Sequence, residues 1–196
     1  MTNSQYNDFS ACTVKFAGIT NRVVSDVQVF RAFDPALPPS SDILGAVTHG
    51  LWDTGATNSV ITAETARSLR LEAVGQVDIN HAGGSSPSPL YVINMLLPNN
   101  VLVPGIVVSE CPGIAGNFGA IIGMDIISQG DLSITNHDGL TCMTFRIPSI
   151  AAIDYVVEAN RIRFAGVNRN DPCPCGAVGS DGKKRKFKKC CGLNLR

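Results

Sequence analysis

A single carboxylate lies between two apolar runs in Gly50-Leu51-Trp52-Asp53-Thr54-Gly55-Ala56-Thr57-Asn58-Ser59-Val60-Ile61. The apolar residues before Asp53 predict a buried strand. The small residues after it predict a tight turn, in which Gly55 permits a backbone path that a side chain would block. An acid on such a turn is either a catalytic group or a turn residue that accepts a hydrogen bond from its own backbone. Motifs elsewhere in the sequence distinguish between these two interpretations.

A second motif, Ala120-Ile121-Ile122-Gly123-Met124-Asp125, follows about 65 residues downstream. It is an apolar run that ends in Gly and leads into a predicted short helix over Met124–Ser128. Between the two motifs, Thr62–Leu69 predicts a helix with Thr62 as its N-cap. The two motifs in this order resemble the retropepsin-like aspartic proteases, over about residues 12–148.

The resemblance assigns roles to particular residues. Asp53 matches the catalytic aspartate, Thr54 the hydroxyl residue whose hydrogen bonds lock two such loops together, and Gly55 the residue that allows their close approach. For substrate binding it implies a part for Ala56, Gly83 and Gly84. The two glycines would form the tip of a flap that covers bound peptide, or they shape an exposed hairpin turn only.

Peptide hydrolysis by this chemistry requires two carboxyl groups that share one proton, because one must activate water while the other protonates the carbonyl oxygen. It needs no cofactor. The chain has one Asp-Thr-Gly and is too short for a two-lobed enzyme, so the resemblance implies a homodimer with Asp53 from each subunit at the two-fold axis, acting on a polypeptide substrate.

The spacing of β-branched runs agrees with this fold class. Gly, Pro, Asn and Ser separate the predicted strands, which indicates an antiparallel sandwich or barrel. The predicted strands are Val23–Phe33, Leu44–Thr48, Val74–Ile79, Leu90–Leu97, Val101–Val108 and the hairpin Leu132–Thr135 with Leu140–Ile147. The stretch 81–89 is predicted as the tip of a long hairpin. Together with the resemblance, this predicts a mostly β, closed retropepsin-like barrel with short helices.

Other polar residues have simpler interpretations. Asp125 is interpreted as a carboxylate that stabilises a helix N-terminus rather than as a catalytic group. His49, His81 and His137 have no metal-ligand spacing, so surface or turn roles are predicted for them. Trp52 replaces the aliphatic residue more usual before the catalytic aspartate, and core packing is the expected role of a lone Trp.

Charge divides the chain near residue 160. Residues 1–159 carry 6 Lys/Arg and 14 Asp/Glu, a net charge of −8, whereas residues 160–196 carry 10 Lys/Arg and 2 Asp/Glu, a net charge of +8. This predicts modules with different partners. We expect a protease domain over 1–148, a connector over 149–168 and a metal-binding segment over 169–196. In the connector, residues 149–160 are predicted as a helix capped by Ser149, although residues 155–157 also suit a strand.

Four of the seven cysteines crowd the last 24 residues: Cys173, Cys175, Cys190 and Cys191. With the lysines between them they resemble the SEC-C motif. Four thiolates can close a tetrahedral site on Zn²⁺ with no open position for catalysis, so the implied role of zinc is structural. The alternative is a redox or incidental thiol cluster. The spacer between Cys175 and Cys190 is longer than usual, and 177–181 is interpreted as part of an insertion.

The basic run Lys183–Lys189 lies inside this motif. It predicts a contact with nucleic acid, ribosomes or an acidic protein surface. Alternatively, the lysines are solvated and offset thiolate charge.

Composition limits the remaining classes. With 44% hydrophobic and 16% charged residues, the chain is too apolar for a disordered protein. No apolar run approaches the ~20 residues that span a bilayer, and the first residues lack the features of a secretory signal, so a cytoplasmic protein without membrane contact is expected. The predicted function is an aspartic endopeptidase whose tail recruits substrates or partners. The alternative is a catalytically silent dimeric scaffold whose tail binds protein or nucleic acid.

Overall fold

The computed structural model describes residues 9–37, 44–81, 84–111 and 116–194. They form ten strands: β1 Ser10–Lys15, β2 Val24–Arg31, β3 Gly45–Trp52, β4 Val60–Thr62, β5 Gly75–His81, β6 Gly84–Leu97, β7 Val101–Cys111, β8 Ala120–Ile122, β9 Asp131–Thr135 and β10 Cys142–Ile147. Three α-helices accompany them: α1 Ala63–Ser68, α2 Met124–Ile127 and α3 Tyr155–Arg163. The chain divides into two compact units, Met1–Ile150 and Ala151–Arg196. The three-part division expected from the sequence stays a prediction.

Six strands of the first unit close into a barrel in the order β2-β3-β8-β4-β7-β6, with β6 pairing back onto β2. β5 extends this sheet by pairing with β6 as a long hairpin. The expectation of a mostly β fold with a closed barrel is therefore confirmed.

Two barrel pairings are parallel, namely β3 with β8 and β4 with β7. The predicted antiparallel arrangement is wrong at these two pairs. Two parallel neighbouring strands have to be joined by a long crossover connection, and the spacing of predicted strands along the sequence does not reveal such a connection. The β3–β8 pairing places Trp52 opposite Ile122, so the first residues of the two sequence motifs lie side by side.

The core of this unit follows the alternation of the strands. Val27 and Val29 of β2, Ile93 and Met95 of β6, and Ile122 of β8 are almost completely buried. Each such side chain contributes about 1.5–3 kcal/mol by leaving water. The barrel interior is thus a packed core, and the site has to lie at its surface.

The predicted hairpin over β5 and β6 is present, but its tip is shorter than expected. Ser85–Pro89 lie in β6, where Asp78 pairs with Pro87 and Gln76 with Pro89. Pro is tolerated because this part of β6 has a strand partner on one side only. Gly84 is the first residue of β6, whereas Gly83 lies outside the described residues.

A second, three-stranded sheet has the order β1-β10-β9. The guanidinium of Arg146 on β10 donates to the Asp131 carboxylate on β9 at 2.7 Å. Asp131 also accepts from the hydroxyl of Ser149 and the backbone N–H of Ile150. These bonds fasten the end of the first unit to its own sheet.

In the second unit, α3 lies within the predicted connector, but Ser149 does not cap it. The cap is Asp154, whose carboxylate accepts from the backbone N–H groups of Val156 and Val157. Ser149 is instead bonded to Asp131, six residues before α3 begins. After α3, Phe164 and Phe187 pack ring against ring at 5.1 Å and form the small apolar centre of this unit. Within the described ranges, no helix has both the length and the apolar character to cross a bilayer.

Candidate active site

The Asp53 turn leaves β3 at the surface of the barrel. One oxygen of the half-buried Asp53 carboxylate, Oδ1, accepts the backbone N–H of Gly55 at 2.8 Å. A Cβ at Gly55 would lie 3.2 Å from that oxygen, closer than most side chains approach. No described residue donates a hydrogen bond to the other oxygen, Oδ2. The turn therefore fixes the carboxylate through one oxygen and leaves the second available.

The downstream motif holds this turn in place through its backbone. The N–H of Asp53 donates to the carbonyl of Ile122 at 3.0 Å, and the N–H of Met124 donates to the carbonyl of Ala56 at 2.8 Å. A Cβ at Gly123 would lie 2.6 Å from the carbonyl carbon of Asn58. The glycine is required because two backbones meet here with no room for a side chain.

A buried polar cluster connects the same two segments. The Asp125 carboxylate accepts the Ser59 N–H at 2.9 Å and the Ser59 hydroxyl at 2.7 Å, and it also accepts the Ile126 N–H at 3.0 Å. The Ser59 oxygen in turn accepts the Gly123 N–H at 3.0 Å. Asp125 does lie in the first turn of α2, as expected, but its main partner is Ser59, which the sequence interpretation missed. The signal available in the sequence was an acid in the second motif, Asp125, together with a hydroxyl residue in the first, Ser59.

The remaining residues of the turn point outward. Thr54 is exposed, and its hydroxyl makes no hydrogen bond to any part of the chain that the structure describes. Trp52, directly before Asp53, is turned into the core instead: its ring lies 5.2 Å from that of Phe145, and Nε1 donates to the hydroxyl of Ser25 at 3.0 Å. Core packing is thus the observed role of Trp52.

A cleft of about 730 Å³ opens between residues 56–58, just after Asp53, and the β5–β6 hairpin, and Asp53 itself is not among the residues that line it. Its apolar lining consists of Ala56, Val60, Val77, Ile79, Leu90 and Val107. The charged group in the lining is Asp78, and the other polar members are Thr57, Asn58 and Ser109. The cleft therefore suits an extended chain with apolar side chains. The sequence did not predict which residues of the hairpin line the cleft, because the pairing register of β5 and β6 determines which side chains face it.

The base of the hairpin is braced by a second buried polar contact. The Tyr91 hydroxyl donates to a carboxylate oxygen of Glu110 at 2.8 Å. Burial, together with this carboxylate, raises the pKa of Tyr91 to about 12. The hydroxyl of Ser88 donates to the Glu110 carbonyl at 2.6 Å. These bonds tie β6 to β7 where the cleft begins.

The four C-terminal cysteines come together in the second unit. Their sulfur atoms all lie within 4.8 Å of one another, with Cys173 buried and Cys175 exposed. A tetrahedral thiolate site with Zn–S bonds of about 2.3 Å has sulfur separations of about 3.8 Å, so the cluster fits a metal ion. Backbone bonds position it, among them Cys173 N–H to the Arg185 carbonyl at 2.8 Å.

The other predicted residues lie apart from both sites. His49 is exposed and bonds Asp26 at 2.8 Å, and His137 lies beside Asp138 in an exposed turn. His81 is the last residue of β5, and its side chain lies outside the described part of the chain.

Comparison with known families bears on the Asp53 turn and the barrel that carries it. Residues 41–126 match the family described as aspartyl protease. The match spans both motifs and confirms the resemblance read from them. No curated protein matches the chain.

The solved structures that are similar to this chain include the following three. A retropepsin-like aspartic protease from Rickettsia conorii is 12% identical, with 71% of this chain and 96% of that chain covered and a TM-score of 0.43. The retroviral protease-like domain of Ddi1 from Leishmania major is 18% identical, with 56% and 89% covered and a TM-score of 0.35. Protein Lpg0085 of unknown function (DUF785) from Legionella pneumophila subsp. pneumophila str. Philadelphia 1 is 15% identical, with 42% and 74% covered and a TM-score of 0.26.

Proposed function

We propose that the protein is a cytoplasmic, homodimeric aspartic endopeptidase whose two Asp53 carboxyls activate a water molecule. The observation that carries the proposal is the Asp53 turn: one carboxylate oxygen is bonded to Gly55 N–H, the other has no donor among the described residues, and the backbone is fastened to Ile122. A second carboxyl has to come from a partner subunit, since the chain has one such turn.

Thr54 supports the dimer. Its hydroxyl is exposed at the tip of the turn. In a symmetric pair the same group of both subunits meets at the two-fold axis, where the hydroxyls can bond the opposing turn. Gly55 leaves room for that approach. Thr54 is therefore a dimer-locking residue and Asp53 the catalytic one.

In the proposed mechanism one carboxyl is ionised and one is protonated. The ionised carboxylate takes a proton from water as the water oxygen attacks the peptide carbonyl carbon, and the protonated carboxyl donates to the carbonyl oxygen. On collapse the C–N bond breaks, the leaving nitrogen takes the proton that the first carboxylate had gained from water, and a hydroxyl of the intermediate returns its proton to the second carboxylate. Two adjacent carboxyl groups cannot both ionise easily, because their negative charges repel each other. The singly protonated pair, and therefore activity, is expected at mildly acid pH.

The cleft supports a preference for apolar peptides. Ala56 with Val77, Ile79 and Val107 would contact substrate side chains, and Asp78 would disfavour acidic ones. Gly83 and Gly84 stay predicted as the flap tip over the bound peptide. The cysteine cluster is proposed to hold a structural Zn²⁺. The C-terminal segment that contains this cluster is proposed to recruit substrates or partners.

The test is cleavage of a diverse peptide mixture from about pH 4 to 7, read by mass spectrometry, with wild type, Asp53→Asn and Asp78→Asn. Wild type should cut next to apolar residues, Asp53→Asn should lose all cleavage, and Asp78→Asn should cut and accept more acidic peptides. A statine-type peptide should bind wild type, because it mimics the tetrahedral intermediate. If dimeric, zinc-loaded wild type neither cuts nor binds the statine, the scaffold alternative replaces the protease.

A further inference from the structure

The basic run of the second unit is folded around one groove of about 510 Å³. Six cationic side chains line it: Lys183, Lys184, Arg185, Lys186, Lys188 and Lys189. The other lining residues are Gly179 and Asp181. The lysines are thus gathered on one concave surface rather than spread along a solvated tail.

The inserted segment between the cysteine pairs builds one wall of this groove. Val178 and Lys184 form an antiparallel bridge, and Gly179 N–H donates to the Lys183 carbonyl at 2.8 Å. Gly182, at φ +72°, closes the turn. A further bond from Arg185 N–H to the Ala177 carbonyl fixes the returning strand. The insertion therefore has a structural consequence: it holds the cations together.

These cations are not neutralised locally. None of the six forms an ion pair with a carboxylate of the described residues. The Asp181 carboxylate accepts the backbone N–H of Lys183 and shapes the turn. Four thiolates on one Zn²⁺ would carry a charge of −2, so together with Asp181 they offset three of the six cations at most. The groove keeps a net positive charge, which favours binding of an external anion.

We propose that this groove binds the phosphodiester backbone of a nucleic-acid strand without reading its sequence. Five of the six cations are Lys, which contacts phosphate as a point charge and without the bidentate geometry by which Arg reads base edges. No lining residue carries a large apolar side chain, so the groove lacks the anchors of a protein hot spot or of a membrane-surface site. Phe187 is buried against Phe164 and is withheld from base stacking.

The experiment is fluorescence anisotropy of labelled oligo(U) and oligo(A) with the full-length, zinc-loaded protein between 50 and 200 mM salt, concentrations of the order at which such contacts respond. Both oligonucleotides should bind equally. The logarithm of the affinity should fall with the logarithm of salt at a slope of up to roughly −4, the value for six phosphate contacts on a single strand.

Two matched double variants locate the site. Lys184→Glu with Lys186→Glu should weaken binding about tenfold or more, while Arg161→Glu with Arg163→Glu, the same charge change on the exposed face of α3, should leave most of it. Zinc content and circular dichroism check that both variants are folded. The proposal is overturned by absence of binding at low salt, by equal loss in both variants, or by tighter binding of poly-glutamate or anionic vesicles. None of these outcomes depends on whether the protein cuts peptides, because the proposal concerns the second unit alone.

Discussion

The carboxylate of Asp125 accepts hydrogen bonds from both the backbone N–H and the hydroxyl of Ser59, at 2.9 and 2.7 Å. The two residues belong to the two motifs recognised in the sequence. Their contact joins the end of the Asp53 turn to the start of α2, and Ser59 passes the connection on to Gly123. The position of the proposed catalytic carboxylate therefore depends on a residue that does not itself face substrate.

Removing this acceptor should loosen the turn. Asp125→Ala leaves the two Ser59 donors in a poorly hydrated place without a partner, which costs about 1–3 kcal/mol per group. We expect a lower midpoint in urea and a fall in kcat, whereas Asp125→Asn keeps one acceptor oxygen and should recover part of both. Equal activity of wild type and Asp125→Ala would contradict the positioning role.

Close backbone packing makes a second, purely steric prediction. Gly123→Ala places a Cβ 2.6 Å from the carbonyl carbon of Asn58, so one of the two backbones has to move. Overpacking of this kind costs about 1–3 kcal/mol. Gly18→Ala is the matched control, because a Cβ there meets nothing within 4 Å. Thermal unfolding of both variants should show a large loss for the first and almost none for the second.

Much of this site was predictable because it is local in sequence. The turn at Asp53, the Thr62 cap of α1 and the start of α2 follow from residue types that act over a few positions. The parallel β3–β8 pairing and the Ser59–Asp125 contact join residues more than sixty positions apart, and no local rule reports them. Ser149 illustrates the limit: it is a good capping residue, but Asp131 binds its hydroxyl while Asp154 takes the cap.

The sheet of β1, β10 and β9 should respond to acid through Asp131. The hydroxyl of Ser149, then Arg146 and the Ile150 N–H, hold the pKa of Asp131 well below its ordinary value of 3.8. Since the folded pKa is the lower one, this stabilisation is present above pH of about 4 and is lost as pH falls further. In urea titrations Asp131→Asn should therefore be less stable than wild type at pH 6, and the gap should narrow below pH of about 4.

The exposed Asp138 provides the control for that series. Asp138→Asn alters a carboxylate that is 81% exposed, and Asn tolerates its left-handed φ of 52°. Its stability should stay within about 0.5 kcal/mol of wild type at either pH. A pH-dependent gap of equal size in both variants would assign the effect to net charge rather than to the Asp131 contacts.

Stability at alkaline pH tests the hydrogen bond between Tyr91 and Glu110 at the base of the β5–β6 hairpin. Burial, with the Glu110 carboxylate, raises the pKa of Tyr91 to about 12, so the neutral phenol is favoured in the folded state. Its stabilisation is present below pH of about 10 and is lost as pH rises from there towards 12. Tyr91→Phe should lower stability at pH 7 by about 1–3 kcal/mol, because it removes a bond to a charged acceptor, and it should flatten the decline above pH 10. An unchanged alkaline decline in Tyr91→Phe would exclude Tyr91 as its origin.

Removal of the metal should destabilise the second unit and leave the stability of the first unit almost unchanged. The second unit has a small apolar centre, Phe164 on Phe187, so binding of an ion by the four thiols is expected to supply most of its folding free energy. Native mass spectrometry should find one zinc per chain in wild type and none in Cys190→Ser, while Cys142→Ser, which alters a cysteine of β10, should keep it. A chelator should abolish hydrogen-exchange protection in Ala151–Arg196 and leave the barrel strands protected. Protection retained throughout the second unit after complete zinc removal would show that the cluster folds without metal and would favour the thiol interpretation.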